Sequence, residues 1–423
     1  MNLEKNLKPN REYRTDRMKK LLSCFQDPQN SFRAVHIAGS KGKGSTASFI
    51  ASALSEMGFK TGIYASPHVL SYKERIRKPE GFFSEQAYIR AGTEISQVLC
   101  TLSHKQEKEC IHPTTFELFT VMSFLIFRNE KMDFAVIETG IGGRLDATNV
   151  IHPDISVITP IELEHREMLG NTISEIAGEK AGIIKRFVPV VCAHQSIDAK
   201  AVLSQRAKTE GASFHYIDEH IPKTQWEMSD EKSVIHLFFT DNSSISFPSL
   251  LFGSYQADNA AVAYLTIKTL FSKADNASVL KGFSKAFLPG RFEILKRNPL
   301  IITDAAHTPG SIKRLIDSVC SVYSPPFIII FGAVKGKDLH GMASVLAEYS
   351  KHIILTRPGT FKPSSFSEME AAFSSVSEKT CTIQCPKAAV KKGIELSKPD
   401  LPIICTGSFY LVSEINAVVT ELL

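Results

Sequence analysis

Nowhere in the 423 residues does a run of about 18 apolar residues occur, so no stretch has the length to cross a bilayer as a helix. The opening thirty residues are polar and charged and lack the apolar centre of a signal peptide, so a cytoplasmic protein is expected. Cysteine is scattered. Of eight, only Cys381 and Cys385 lie close together, and no second pair stands at zinc-ligand spacing; reduced, buried thiols are expected rather than a zinc site or a disulfide scaffold. Long blocks of one charge are missing too. The 49 Lys and Arg face 44 Asp and Glu, a net charge of +5 spread along the chain, which gives no reason to expect nucleic acid and suits small anionic ligands. No short tandem repeat is visible. What remains, 43% hydrophobic and 22% charged residues, is an ordinary globular composition long enough for two or three domains.

The most informative stretch runs from Arg33 to Met57. An apolar run from Ala34 to Ala38 reads as a buried strand, Gly39, Gly42 and Gly44 break it, and Ser45 to Met57 carries apolar residues at helical spacing. A glycine loop at a helix N-terminus exposes unpaired N–H groups where the macrodipole adds positive charge, and Lys41 and Lys43 add full charges. A polyphosphate is the natural occupant. The spacing departs from the common phosphate-loop pattern: Ile37 stands where its first Gly belongs, Gly44 follows Gly42-Lys43, and the hydroxyls of Ser45 and Thr46 come one position late.

Strands and helices alternate through the chain. Strands are expected at Thr61–Ala65, Phe134–Ile137, Ile155–Ile161 and Val188–Cys192, and helices at Arg11–Phe25, Phe83–His104, Thr114–Asn129 and Ser174–Lys185. Gly39, Ser66, Glu138 and His165 each fall just past a strand, which in a parallel sheet brings them to one edge. Alternating residues over Ser213–Leu250 predict a small antiparallel flank. Helices at Gln256–Phe271 and Ala277–Phe287 precede a boundary at Leu288-Pro289-Gly290-Arg291. A second alternation follows, with strands near 300–303, 327–332, 352–356, 381–384 and 402–406. The fold class is therefore α/β: an N-terminal phosphate-loop-type, mostly parallel sheet with an antiparallel flank over residues 1–287, and a Rossmann-like α/β domain over 288–423. A nucleotide in the loop needs Mg²⁺, for which Ser45 or Thr46 offers a hydroxyl and Glu138 a carboxylate.

The Gly-x-x-Gly-Lys-Gly-Ser loop resembles that of the Mur ligase superfamily, in particular the folylpolyglutamate and dihydrofolate synthases. The likeness extends over almost the whole chain: Ser66-Pro67-His68 followed by Glu74-Arg75-Ile76-Arg77, Thr115-Phe116-Glu117, Gly142-Gly143-Arg144-Leu145-Asp146-Ala147-Thr148-Asn149, Glu179-Lys180-Ala181-Gly182, Tyr255-Gln256-x-x-Asn259, Pro289-Gly290-Arg291, Asp304-x-x-His307-x-Pro309, Gly336-Lys337-Asp338 and Thr406-Gly407-Ser408. By that resemblance, Gly39, Gly42, Lys43, Gly44, Ser45 and Thr46 hold phosphates, and Ser45, Ser66, Glu138 and His165 hold metal. Lys180 joins them as a carbamate, since uptake of CO₂ turns an amine of lowered pKa into an anionic oxygen donor. Read without the resemblance, Lys180 is a helix-surface lysine. Gln256 and Asn259 would contact adenine, Arg291 and His307 phosphate, and Asp304 ribose; Lys43, His165, Lys180, Arg291 and His307 make up the catalytic set.

The activity implied is ATP-dependent joining of L-glutamate to dihydropteroate, to a folate, or to both, through an acyl phosphate, by a monomer with a monovalent cation as a further candidate cofactor. Glu164, Arg166 and Thr308 stand where the family usually has Asp, Thr and Asn, and Lys41 adds a charge beside the phosphates. Three rivals are a ligase of peptidoglycan precursors, a phosphate-loop kinase or ATPase, and a silent nucleotide-bound scaffold. Gly44, the Ser66 loop and the lack of a leading domain for a UDP sugar oppose the first; the second α/β domain and the Lys180 segment oppose the second; and the joint presence of Lys43, Glu138, His165 and Lys180 opposes the third.

Overall fold

The computed structural model describes residues 15–68, 71–104, 113–229, 232–288, 290–359, 363–397 and 401–422; Pro289 and the start of the helix expected from Arg11 lie outside them. Eight strands form the first sheet: β1 (Arg33–Ala38), β2 (Thr61–Tyr64), β3 (Ile76–Lys78), β4 (Gly81–Phe82), β5 (Phe134–Glu138), β6 (Ile155–Ile158), β7 (Val190–Cys192) and β8 (Phe214–Tyr216), in the order β4-β3-β2-β5-β1-β6-β7-β8. From β2 to β8 every pairing is parallel, and β1 lies between β5 and β6. Alternate residues of β1 face opposite layers, as the two-residue repeat of a strand requires. Val35 and Ile37 pack with the helices Lys43–Glu56, Tyr255–Leu270 and Asn276–Lys285. Ala34 packs with Thr15–Ser23 and Thr115–Asn129 on the other face. A sheet covered on both faces reads as continuous apolar runs, which is why its central strands were legible.

The antiparallel flank is shorter than expected. Its strands are β9 (Lys223–Ser229), β10 (Lys232–Phe238) and β11 (Ser244–Ser249), whereas β8 pairs parallel with β7 in the main sheet. The physical reason is the helix Ile197–Thr209 between β7 and β8, because a helical crossover returns the chain in the same direction. The third sheet holds β12 (Glu293–Arg297), β13 (Leu300–Thr303), β14 (Phe327–Phe331), β15 (Ser350–Leu355), β16 (Thr380–Thr382) and β17 (Ile403–Thr406), in the order β12-β13-β17-β14-β15-β16. Two further elements escaped the reading: the β3–β4 hairpin and the antiparallel edge strand β12, both short and rich in charge, as edges often are.

The helix expected over Ser174–Lys185 stops at Lys180 and gives way to a 3₁₀ turn at Ala181–Ile183. A Cβ on Gly182 would sit 2.3 Å from the Cα of Arg144, so this turn is pressed backbone to backbone against another loop. The thiols also differ from expectation: Cys192 and Cys405 are buried, but Cys24, Cys100, Cys381 and Cys385 are exposed. Among the described residues no helix is long and apolar enough to cross a membrane.

Candidate functional site

The cradle forms where β1 meets the helix Lys43–Glu56. Gly39 has φ 151° and a Cβ there would lie 1.8 Å from Thr159 Oγ1; Gly42 has φ 83° and its Cβ would lie 2.1 Å from Asn259 Oδ1. Only glycine fits at either position. Gly42 is also the helix N-cap and offers no side-chain acceptor, so the first N–H groups remain available to an anion. Ser45 and Thr46 are buried in the first turn, and Thr46 Oγ1 has no hydrogen-bond partner. A buried, unpaired hydroxyl in that turn is what a bound group would satisfy.

Two ammonium groups converge on one carbonyl. Lys43 Nζ donates to Gly39 O at 3.0 Å, and Lys180 Nζ donates to the same oxygen at 2.8 Å and to Glu164 Oε1 at 2.8 Å. Lys180, only 1% exposed, has its pKa lowered to about 8 by burial and by the Lys43 charge, against the pull of Glu164. In this form it is a cation and a donor, so metal ligation requires the amine to be modified first. Lys43 Nζ also stands 3.7 Å from Glu138 Oε1, while Ser66 N donates to Glu138 Oε2 at 3.4 Å. Burial raises the Glu138 pKa, with Lys43, the Ser66 N–H and Arg291 opposing. His165 follows Glu164 with φ 46° and remains exposed; partial desolvation, aided by the Lys180, Lys43 and Lys337 charges and opposed by Glu164, lowers its pKa. These contacts join Ser66, Glu138, Lys43, Gly39, Lys180 and Glu164 into one connected group, and His165 is the chain neighbour of Glu164.

The most specific string in the sequence acts as a clasp behind that group. Asp146, buried, accepts from Gly140 N at 2.9 Å, Ile141 N at 3.1 Å, Thr148 N at 3.0 Å and Thr148 Oγ1 at 2.6 Å, which ties down the loop leaving β5 just after Glu138. His36 Nε2–H donates to Thr148 Oγ1 at 2.9 Å and extends the chain into β1. Arg144 N donates to Glu179 O at 2.7 Å, and Asn149 Nδ2 donates to Arg144 O and to Gly182 O. A Cβ on Gly143 would lie 2.8 Å from Lys180 O. The string therefore fixes the Glu138 strand end against the Lys180 helix end. From sequence Glu164 stands out only as a departure and Asp146 carries no assigned role; the Asp-x-Thr turn pattern is the available signal for Asp146.

The third sheet contributes a second set of side chains. Arg291 lies over the Phe409 ring at 4.7 Å, and His307 packs against the same ring with centroids 5.6 Å apart. His307 Nδ1–H donates to Ala305 O at 2.8 Å, which leaves Nε2 as the lone-pair nitrogen; burial, against that bond and with Lys337, Lys41 and Arg291, lowers its pKa to about 4. The ring is neutral at pH 7. Asp304, assigned to ribose by resemblance, accepts from Phe292 N at 2.8 Å, Ala306 N at 2.7 Å and Tyr255 Oη at 3.5 Å, so its carboxylate holds the turn behind Arg291. Gln256 Oε1 accepts from Asn259 Nδ2 at 2.9 Å, and Gln256 Nε2 is buried without a partner. Arg314 Nη1 pairs with Glu162 Oε1 at 2.8 Å and joins the two sides directly.

Among the described residues no three His, Cys, Asp or Glu side chains cluster as a metal site. The donors present suit magnesium instead: the Ser45 and Ser66 hydroxyls and the Glu138 carboxylate are hard oxygens, and Mg²⁺ takes few protein ligands and completes its shell with water and phosphate.

Two family models match: the Mur ligase middle domain over residues 37–267 and the Mur ligase glutamate ligase domain over 290–409. The folylpolyglutamate synthase of Lacticaseibacillus casei is 33% identical over 404 residues, covering 94% of this chain and 92% of the relative. The dihydrofolate synthase/folylpolyglutamate synthase of Bacillus subtilis is 32% identical over 407 residues, 95% of this chain and 93% of the relative. The chain belongs to the folylpolyglutamate synthase/dihydrofolate synthase family of Mur ligases. A solved Mycobacterium tuberculosis folylpolyglutamate synthase complexed with ADP superposes with a TM-score of 0.89 at 27% identity, covering 99% of this chain and 96% of that one. An FPGS–AMPPCP–folate complex gives 0.81 at 30% identity over the whole of both chains.

Within this family the departures acquire locations. Glu164 replaces the usual Asp, and it is this longer carboxylate that meets Lys180 Nζ. Thr308 replaces Asn but still caps the helix Pro309–Cys320, accepting from Ser311 N at 3.3 Å. Lys41 faces Glu162 and Glu164 as well as Arg314 and Arg291; burial leads the lowering of its pKa.

Proposed function

We propose that this chain is an ATP-dependent ligase that joins L-glutamate to dihydropteroate, to a reduced folate, or to both. The observation that carries the reading is the meeting of Lys43 and Lys180 on the Gly39 carbonyl, with Glu138 beside them, at a helix N-terminus whose N–H groups are free. In this reading residues 1–287 form the ATP-binding part and 288–423 the glutamate-ligase part. The relatives' names and their ADP, AMPPCP and folate complexes support the substrates.

A carboxylate and an amine do not condense in water unaided. The substrate carboxylate oxygen attacks the γ-phosphorus of ATP, the bond to the bridging oxygen breaks, and ADP leaves; the product is an acyl phosphate. The glutamate amino nitrogen then attacks the acyl carbon and gives up its proton as the C–O bond to phosphate breaks. No protein nucleophile is needed. The cradle and Lys43 hold the phosphates and offset their charge, Arg291 adds a cation from the third sheet, and Gln256 and Asn259 stand ready for the adenine. His307, neutral, can accept a hydrogen bond at Nε2 or gain a proton once phosphate charge is near. Asp304 keeps Arg291 in place. Ser45, Ser66, Glu138 and His165 would hold Mg²⁺, which neutralises phosphate oxygens when bound. Carbamylation of Lys180 would replace one of two crowded cations with an anionic oxygen donor, at the cost of its bond to Glu164. Mass spectrometry of the intact protein prepared with and without bicarbonate tests it, an added CO₂ on Lys180 being the expected result. A monovalent cation completes the set and is tested by exchanging K⁺ for a bulky organic cation. The same reading makes the protein a cytoplasmic monomer.

The deciding assay follows ADP release from Mg-ATP with glutamate and one acid at a time: dihydropteroate, a reduced folate, or a UDP-muramyl peptide. Turnover with a pteroyl acid is expected, and turnover with the muramyl compound alone would overturn the proposal.

A further inference from the structure

The hairpin β3–β4 carries an arginine that the scheme above leaves without work. Arg77 is 7% exposed, and its hydrogen bonds go to neutral carbonyls, Nη1 to Lys78 O and Nη2 to Phe287 O, both at 3.2 Å. Neighbouring carboxylates are engaged elsewhere. Glu85 pairs with Lys73, Glu80 pairs with Lys78, and Glu74 Oε1 accepts from Ser71 N at 2.8 Å. Among the described residues none forms an ion pair with Arg77; Glu74 acts on it only through space, and burial lowers its pKa to about 10, so it stays charged at neutral pH. A buried cation with no counter-ion is costly in a folded protein, and an anionic ligand removes that cost.

Its position narrows the anion. The Phe287 carbonyl that receives Arg77 Nη2 also receives Ser48 Oγ at 2.8 Å, on the cradle helix. Ser48 lies one turn after Gly44, roughly 6 Å along the axis, and a Cβ on Gly44 would be 3.6 Å from Glu138 Oε2. Arg77 thus stands beside the second turn of the cradle helix, through the carbonyl it shares with Ser48, whereas Lys43 and Gly44 belong to the first turn. In a glutamyl group the α- and γ-carboxyl carbons are separated by four C–C bonds, about 5 Å when extended. A glutamyl-bearing substrate whose γ-carboxylate lies at the first turn therefore carries a second carboxylate a short chain away, toward the neighbouring turn. Aromatic surface is at hand as well: Phe82, paired in register with Arg77, is 49% exposed, and Phe287 is 43% exposed. Facing residues of an antiparallel pair project to the same side of the sheet, so a ring and a charge are presented together.

We propose that Arg77 receives the α-carboxylate of a glutamyl-bearing pteroyl substrate while the γ-carboxylate takes the phosphoryl group, and so favours folates over dihydropteroate. Dihydropteroate has one carboxylate, and that one reacts. The inference rests on the ligase reading above. Arg77 does not touch the reacting atoms; it sets specificity.

The test uses the full-length enzyme and three acids: a reduced folate, dihydropteroate, and a reduced pteroyl-γ-aminobutyrate, which keeps the reacting carboxylate and lacks the other. For the wild type, kcat/KM should be roughly 10- to 100-fold higher with folate than with the γ-aminobutyrate analogue, the usual worth of a charge-assisted pair. Arg77→Gln should erase that ratio through KM for folate and leave dihydropteroate turnover within about threefold, with Arg77→Lys restoring part of the ratio. The wild-type comparison needs no variant and stands even if Arg77→Gln folds poorly. Equal wild-type kcat/KM for folate and its analogue, or an equal loss on both natural acids in Arg77→Gln, would overturn the inference and leave the ligase reading standing. Absence of wild-type turnover with every pteroyl acid would overturn both.

Discussion

Two loops reach the cradle from different sheets, and each is held from behind by a buried aspartate. Asp146 gathers Gly140 N, Ile141 N and Thr148 behind Glu138; Asp304 gathers Phe292 N and Ala306 N behind Arg291. Burial raises the pKa of both, and hydrogen bonds to the charged form oppose it. The surroundings differ. On the Asp146 side, glycines at 39, 42, 143 and 182 lock backbone against backbone or side chain. On the Asp304 side, the links to the first part include a Tyr255 hydroxyl at 3.5 Å, the Phe252 ring stacked on Phe292 at 5.9 Å, and the Arg314–Glu162 pair, partly exposed and worth little by itself. The first side is a floor locked by backbone contacts, and the second is a cover that meets it through side chains.

The largest loss is expected at the floor. Lys43→Met should lower kcat by roughly 10³-fold while circular dichroism and melting stay close to wild type, and full activity in that variant would remove the cradle from the account. Lys180→Met, similar in volume, should cost roughly 10²-fold in kcat; a near-wild-type rate would return Lys180 to a structural part. Arg291→Ala tests the cover: kcat should fall by about 10- to 100-fold with ATP affinity little changed, since the floor alone binds most of the nucleotide. An equal loss in ATP affinity would mean that the two sides are not separable.

A smaller effect concerns stability against pH. His36 is fully buried with Nδ1 unpaired, and burial, with the Lys185 charge, lowers its pKa to about 3. Between pH 6.5 and 3 the unfolded chain takes up a proton that the folded chain refuses, so stability falls as pH drops through that window. His36→Gln should flatten the slope between pH 7 and 4 in urea-unfolding curves, whatever its cost at pH 7; an unchanged slope would contradict the buried neutral ring.

Most of the frame was legible because β1, β5, β6 and β14 are buried on both faces and read as unbroken apolar runs, and because a parallel sheet collects its strand ends at one edge. Glu138 and the glycine loop followed from that alone. Lys180 did not, since its surroundings come from Gly39, 141 residues away, and from Glu164, 16 residues away. Local sequence cannot show such burial. For Asp304 the sequence shows a candidate ribose contact but not that its carboxylate also accepts from the backbone at Phe292 and Ala306, a partnership that only the turn geometry reveals. The hairpin around Arg77 was invisible because two- and three-residue strands carry too little pattern.

Glu138 and His165 would serve one metal centre with the nucleotide in the cradle. Titration of Mn²⁺ in the presence of an ATP analogue, read by electron paramagnetic resonance, tests it most directly. One tight, nucleotide-dependent site is expected in the wild type, clearly weakened in both Glu138→Gln and His165→Ala. Wild-type binding in both variants would contradict the claim.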